Sequence, residues 1–315
     1  MEAWEKPALA LIALMWLLVV ALMPLSGVTG VPPFVKMLPG WMFLSGMMAL
    51  GALFIFLIRL MLAGEKEPLR RIIALEWRKA GKIVLWVFLG GVHMSAFMSL
   101  KPQLNFLIPF WADPMLARAD ALLFFGDPYR LLTWLNGALT ADLYHRGWFL
   151  AVLATLIWQL SRAPSPSKSA NLLTYFLVWA SGPLIHLLLP AGGPIFYQAL
   201  GHGERFSAMV VPQDIEFIAH HLWTSFTERK FAFGAGISAM PSLHIATMAW
   251  AMLCCRGTRY FWLITPFAIL IFLLSISLGW HYALDGLVGG LVAWGLWALS
   301  RRFFAAARGP SPKAA

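Results

Sequence analysis

An all-α membrane protein that crosses the bilayer several times is the fold class that this sequence predicts. Of its 315 residues, 60% are hydrophobic and 12% are charged, whereas soluble domains are near half apolar and a quarter charged. Apolar runs of about 20 residues, the length that a membrane-spanning helix needs, recur along the chain. We therefore predict about eight transmembrane helices, at residues 8–25, 40–61, 83–105, 142–160, 171–190, 241–255, 260–278 and 281–299.

The first predicted span is expected to be an uncleaved membrane anchor. Met1–Pro7 contains two acids and one base, whereas a secretory signal has a basic start and a shorter apolar core. The chain is then expected to consist of two additional N-terminal spans with a basic loop (1–82), a six-span core (83–300) and a basic tail (301–315).

Lysine and arginine residues indicate the orientation of these spans, because cytoplasmic loops are enriched in them. They cluster in 62–82, 161–170, 256–259 and the tail. With eight spans, all four segments lie on the same side as the N-terminus. We expect an integral protein, in a bacterial inner membrane, with cytoplasmic termini.

The net charge of +10 does not indicate nucleic-acid binding, because the basic residues lie between apolar runs, as in loops beside an anionic leaflet. The two cysteines, Cys254 and Cys255, are adjacent and predict no disulfide framework.

Two long connections, 106–141 and 191–240, fall on the opposite face. Within the first, Pro114 to Phe125 mixes charged residues with leucines, which is typical of a helix that lies at the membrane interface. Long connections of this kind are usually functional or disordered.

His281 and Asp285 form the first candidate site. They are four residues apart near the start of the last span, so they share one face of a helix. A carboxylate in this position can fix the tautomer of an imidazole and stabilise its protonated form. An acid inside a span is costly and usually functional, although a structural His–Asp pair fits the same spacing.

Ser242 and His244 follow Pro241 at the start of the sixth span. The free N–H groups of a first helical turn, together with the helix dipole, favour an anion. Ser242 adds a hydroxyl donor and His244 a titratable group.

Gly193 and Tyr197 belong to a third segment, Pro190–Tyr197, which follows the fifth span. Alone it is typical of a structural turn. In the eight-span topology all three segments reach the same, extracytoplasmic face, where two histidines can share nucleophile and acid roles on a phosphate ester.

The motifs PSLH at 241–244 and GWHYALD at 279–285 resemble the second and third motifs of the type-2 phosphatidic acid phosphatase superfamily. The leucine of the first and the HY-x-x-D form of the second resemble the inositol phosphorylceramide synthase (aureobasidin-resistance) branch and its bacterial relatives. Gly193, Pro194 and Tyr197 resemble residues that those relatives place after the preceding span.

This resemblance implies a mechanism. His281 would attack phosphorus and form a phosphohistidine, Asp285 would hold it, and His244 would protonate the leaving oxygen and then activate water or an alcohol. No metal or other cofactor is implied. The substrate would be a phospholipid or a polyprenyl or sphingolipid phosphate.

The sequence departs from the superfamily pattern in its phosphate clamps. The first motif, KxxxxxxRP, is absent around 183–194, and Ser275 occupies the usual arginine position of the third motif. Arg205, Arg229 and Lys230 in the long loop are the nearest candidates to replace these cations, although solvated loop charges would look the same.

Several alternatives remain at this point. Transfer of the phosphoryl group to water or to a lipid alcohol fits equally well. A transporter with a proton-relaying His–Asp pair, or a haem carrier that uses His93 and His186, belongs to a different class. The sequence gives no oligomeric state.

Overall fold

The computed structural model describes residues 1–74 and 76–306. Most of these residues lie in helices, and none forms an extended β-strand. Short 3-10 turns and one π-helical turn, Leu143–Gly147, interrupt the connections. The α-helices in this part of the chain are α1 (Glu5–Ser26), α2 (Phe34–Leu62), α3 (Pro68–Ile73), α4 (Trp77–Leu104), α5 (Asp113–Leu123), α6 (Ala138–Asp142), α7 (Trp148–Ser161), α8 (Pro166–Leu188), α9 (Gln213–Thr227), α10 (Leu243–Cys255), α11 (Phe261–Ser277) and α12 (Ala283–Ala306).

Each predicted span corresponds to an apolar helical segment. Among the described residues α1, α2, α4, α8 and α12 are long and apolar enough to cross a membrane, while α10 and α11 are shorter apolar helices. The fourth predicted span falls on α6, the π turn and α7, which follow one another without a break. The count of eight spans stays a prediction, as does the tail beyond residue 306, which lies outside the described residues.

Several helices begin or end away from the edges of the apolar runs. α2 begins six residues before the predicted 40, and α12 continues past the predicted 299. Capping explains other ends: Ser165 accepts the N–H of Lys168 at the start of α8, and α1 ends at Gly27, whose φ of 63° is left-handed.

The N-terminal helices α1 and α2 pack against α4. The indole of Trp41 in α2 donates to the carbonyl of Val87 at 2.8 Å. A Cβ at Gly91 would lie 2.7 Å from the same indole. Close packing and satisfied polar groups of this kind stabilise helix pairs in lipid.

α10 lies at the centre of the bundle, against α7, α8, α11 and α12. At the end of the bundle away from the start of α10, the side chain of Asn171 in α8 donates to Gln159 at 3.0 Å and accepts from Trp297 at 3.0 Å. The carbonyl of Asn171 accepts from Trp250 at 2.7 Å. These bonds join four helices through buried polar groups.

The helix predicted at 114–125 is α5, but its faces differ from the expectation. Its two carboxylates, Asp113 and Asp120, are buried, while Leu122 is 79% exposed. The acids therefore point into the protein, and the apolar C-terminal end points away from it.

Candidate active site

Three segments meet at one end of the bundle. They are the loop 190–197 after α8, the stretch 236–244 that runs into the start of α10, and the stretch 279–285 that runs from a turn into the start of α12. All three predicted motif segments are therefore in mutual contact. Backbone hydrogen bonds join them pairwise: Ala239 N–H to Ala191 O (2.7 Å), Ile195 N–H to Gly279 O (2.9 Å) and Ser242 N–H to Asp285 O (3.0 Å).

His281 is held by a backbone carbonyl. Its Nδ1 lies 2.8 Å from the oxygen of Ala239 and 3.6 Å from Oδ2 of Asp285. Because a carbonyl oxygen only accepts, Nδ1 must carry a proton, and Nε2 of the neutral ring then keeps its lone pair. The ring is therefore fixed in the tautomer that a nucleophile attacking through Nε2 requires.

Asp285 lies in the first turn of α12 and is fully buried. Its Oδ2 accepts the N–H of Tyr282 at 2.8 Å. The prediction that the two residues share a helical face is wrong, because His281 lies in the turn before α12. Their separation of 3.6 Å is that of an ion pair rather than a hydrogen bond. The carboxylate is near enough to stabilise a positive charge on the ring, whereas the carbonyl of Ala239 orients it.

His244 faces His281 across 6.0 Å between ring centroids. Its ring is packed by Tyr144 at 4.6 Å and Trp148 at 4.1 Å. The residue is partly accessible, and its ring nitrogens have no hydrogen-bond partner among the described residues. The two rings are close enough to contact one phosphate group bound beside them.

Ser242 is buried at the start of α10, where its hydroxyl oxygen accepts the N–H of Ile245 at 3.4 Å. The hydroxyl therefore caps the helix that holds His244. Its predicted role in substrate binding stays a prediction.

Gly193 occupies a position that only glycine fits. Its φ is 96°, and a Cβ there would collide with the carbonyl oxygen of Trp280. Tyr197, by contrast, is buried against Phe206 at 5.0 Å and His202 at 5.3 Å. Gly193 therefore lets the 190–197 loop approach the turn before His281, whereas Tyr197 packs against its neighbours at the end of that loop.

Asp113 of α5, which sequence reasoning missed, holds the 190–197 loop. Its carboxylate accepts the N–H groups of Gly192 and Gly193, each at 2.8 Å, and the hydroxyl of Tyr282 at 2.8 Å. One side chain thus connects the loop after α8 with the residue next to His281.

Asp120, two helical turns further along α5, caps α12. Its oxygens accept the N–H of Ala283 at 2.6 Å and that of Leu284 at 3.0 Å. Burial raises the pKa of both Asp113 and Asp120, and the hydrogen bonds that they accept offset this only in part. The seven-residue spacing of the two acids was visible in the sequence, but their partners were not.

The π turn before α7 adds a third histidine that sequence reasoning also missed. Nδ1 of His145 donates to the carbonyl of Ala141 at 3.1 Å. Its ring lies 6.4 Å from that of His244 and 5.8 Å from that of Trp280. π turns occur often at functional sites, but nothing in the sequence distinguishes this histidine from other polar residues near a span end.

The three loop cations expected to bind phosphate have other partners. Arg205 donates through Nε and Nη2 to Oδ1 of Asp127, at 2.9 and 2.6 Å. The guanidinium of Arg229 lies over the ring of Phe106 at 4.5 Å. Lys230 pairs with the exposed Glu228 at 2.9 Å. Arg205 is connected to the site through its partner, because Asp127 lines a small crevice that is also lined by His281 and Tyr282.

The fold and the site together define the class: an all-helical integral membrane protein with two facing histidines at one end of its bundle. A family model described as the PAP2 superfamily matches residues 116–299, which is more than half of the chain. The chain belongs to this superfamily, whose members are generally phosphatases that act on phosphorylated lipids. Comparisons with curated proteins and with solved structures gave no match.

Proposed function

We propose that this chain is a membrane lipid phosphatase or phosphotransferase that works through a phosphohistidine on His281. The observation that supports this most directly is the hydrogen bond from Nδ1 of His281 to Ala239, with His244 across 6.0 Å. One ring is set up to attack and the other is free to exchange a proton.

In the first step, Nε2 of His281 forms a bond to phosphorus while the bond from phosphorus to the lipid oxygen breaks. His244 gives its proton to that leaving oxygen. Asp285, 3.6 Å from Nδ1, stabilises the positive charge that develops on His281. In the second step, His244 takes a proton from water or an alcohol, whose oxygen attacks phosphorus and releases His281.

The acceptor distinguishes the two versions of this activity. Water as acceptor gives a phosphatase that releases inorganic phosphate or a phosphorylated headgroup. A lipid alcohol as acceptor gives a phosphotransferase, as the resemblance to the inositol phosphorylceramide synthase branch implies. The substrate in either version is a phospholipid, a polyprenyl phosphate or a sphingolipid phosphate.

We further propose eight spans, with the six from α4 onward forming the catalytic core and the site outside the cytoplasm. Lys168 lies near the start of α8, and the site lies beyond the end of this 23-residue helix, which is roughly 34 Å long. Lys168 and the histidines thus lie at opposite ends of the bundle. Single cysteines placed at Lys66 or Gly203 and labelled with an impermeant reagent in intact cells test this. Labelling at position 66 but not at position 203 would show that the orientation is the opposite of the proposed one.

A lipid-substrate screen with the purified protein tests the activity, if free phosphate and new lipid products are followed separately. We expect His281→Ala to abolish both products, His244→Ala nearly to abolish them, and Asp285→Asn to lower them severely without unfolding. His220→Ala, at an exposed position in α9, is the matched control. Because the mechanism needs one imidazole neutral and the other protonated at the start, we expect a bell-shaped pH–rate profile.

Trapping of labelled phosphate on His281 would be the positive evidence for the intermediate. Full activity in a folded His281→Ala protein would reject the mechanism.

A further inference from the structure

A phosphate site needs positive partners, and the expected ones are engaged elsewhere or absent. Arg205 is paired with Asp127, and Ser275 is buried with its hydroxyl bonded to the carbonyl of Phe272 at 2.7 Å. Anionic phosphate oxygens bind most strongly to charged donors. A cation from another part of the chain would supply the missing charge.

Lys101 lies in the last turns of α4 (Trp77–Leu104), at the end of that helix nearest the site. Its stem packs against Gly236: a Cβ at Gly236 would lie 2.8 Å from Cγ of Lys101. One turn further on, the side chain of Asn105 donates to the carbonyl of Ile237 at 2.7 Å and accepts its N–H at 2.8 Å. This fixes α4 against the stretch 236–244, which contains both the acceptor of His281 and His244 itself.

The side chain of Asn105 also lies 3.3 Å from Nε2 of His186 at the end of α8, so this end of α4 is joined to both α8 and the stretch 236–244. Lys101 is partly accessible, and no carboxylate of the described residues forms an ion pair with it. A lysine inside an apolar helix is costly unless it has a partner or a wet cavity. A cation without a carboxylate partner at this end of the bundle is suited to an anion that arrives with the substrate.

We propose that Lys101 binds the phosphate oxygens of the lipid substrate at the end of the bundle that holds His244 and His281. This inference rests on the proposed function and deepens it. It also gives α4 a role in substrate binding. The family match begins at residue 116, so Lys101 lies outside the matched region. The helix before the matched region thus supplies the charge that the motif positions lack.

The test uses the full chain in detergent with two probes, orthovanadate as a phosphate analogue and phosphatidic acid as a substrate. Lys101→Met should weaken vanadate binding about 10- to 100-fold, the effect of losing one charge-assisted hydrogen bond, and raise KM similarly. Lys101→Arg should recover part of the affinity. Lys79→Met is the matched control, since Lys79 lies on the same helix, is 67% exposed and pairs with Glu76.

Unchanged vanadate affinity and KM in a folded Lys101→Met protein would overturn the inference about Lys101 and leave the proposed function standing. A wild-type protein that binds vanadate through Lys101 but turns over no phosphorylated lipid would reject the proposed function and keep the anion site. A wild-type protein that neither binds vanadate nor turns over lipid would reject both. Thermal unfolding of each variant separates loss of binding from loss of fold.

Discussion

Asp120 connects α5 to the end of the bundle that holds the proposed active site, so its removal should damage the site without touching a histidine. Its carboxylate accepts the N–H of Ala283 at 2.6 Å and that of Leu284 at 3.0 Å. Those groups belong to the first turn of α12, where N–H groups have no partner within the helix. Asp285 lies in the same turn, and His281 lies just before it.

The expected loss follows from these two bonds. Asp120→Ala leaves one buried and one partly buried N–H without an acceptor, at about 1–3 kcal/mol each. Because burial raises the pKa of Asp120, the charge itself is unfavourable there, and removing it offsets part of the cost. We expect a net loss of about 2–4 kcal/mol for Ala, and about 1–2 kcal/mol for Asn, which keeps one carbonyl oxygen.

The assay combines thermal unfolding in detergent with lipid turnover. Asp120→Ala should lower Tm by roughly 5–10 °C, and its kcat should fall more than its KM rises, because the first turn of α12 positions His281 and Asp285. Asp214→Asn is the matched control: it removes an acid from the first turn of α9, but at an exposed position. Wild-type Tm and kcat in Asp120→Ala would refute the positioning role of α5.

Two further predictions concern positions fixed by close packing or by charge. Gly193→Ala should abolish activity or folding because the added Cβ would collide with Trp280. Gly201 has a similarly unfavourable φ but open space around it, so Gly201→Ala should only lose some stability. Equal effects of the two substitutions would contradict this. Burial favours a raised pKa at Glu2, but hydrogen bonding and the charge of Lys168 outweigh it and lower the pKa below 4.5. The pair therefore stabilises the fold above that pH and loses its effect as the pH falls through the lowered pKa. Glu2→Gln should lower Tm at pH 7 and lower it progressively less as the pH falls below 4.5; a pH-independent shift would argue against the ion pair.

The sequence by itself determined the helices, because what makes them is local. Apolar runs, a proline at the start of α8 and a glycine at the end of α1 are read within a few residues of where they act. The proximity of His281 and Asp285 was also predicted, but the reason given was wrong, because His281 lies in the turn before α12 and the two residues do not share a helical face.

Only the tertiary structure decided which groups complete the site. The carbonyl that orients His281 belongs to Ala239, 42 residues away. Every residue has a backbone carbonyl, so the sequence does not indicate which one accepts this hydrogen bond. Asp120 reaches a backbone N–H 163 residues further along, and its inward direction depends on how α5 packs rather than on its neighbours in sequence. Lys101 looked like the end of an apolar span until Gly236 and Asn105 placed it beside the loop to α10. Contacts between residues so far apart arise from packing of the whole bundle, which local sequence patterns do not encode.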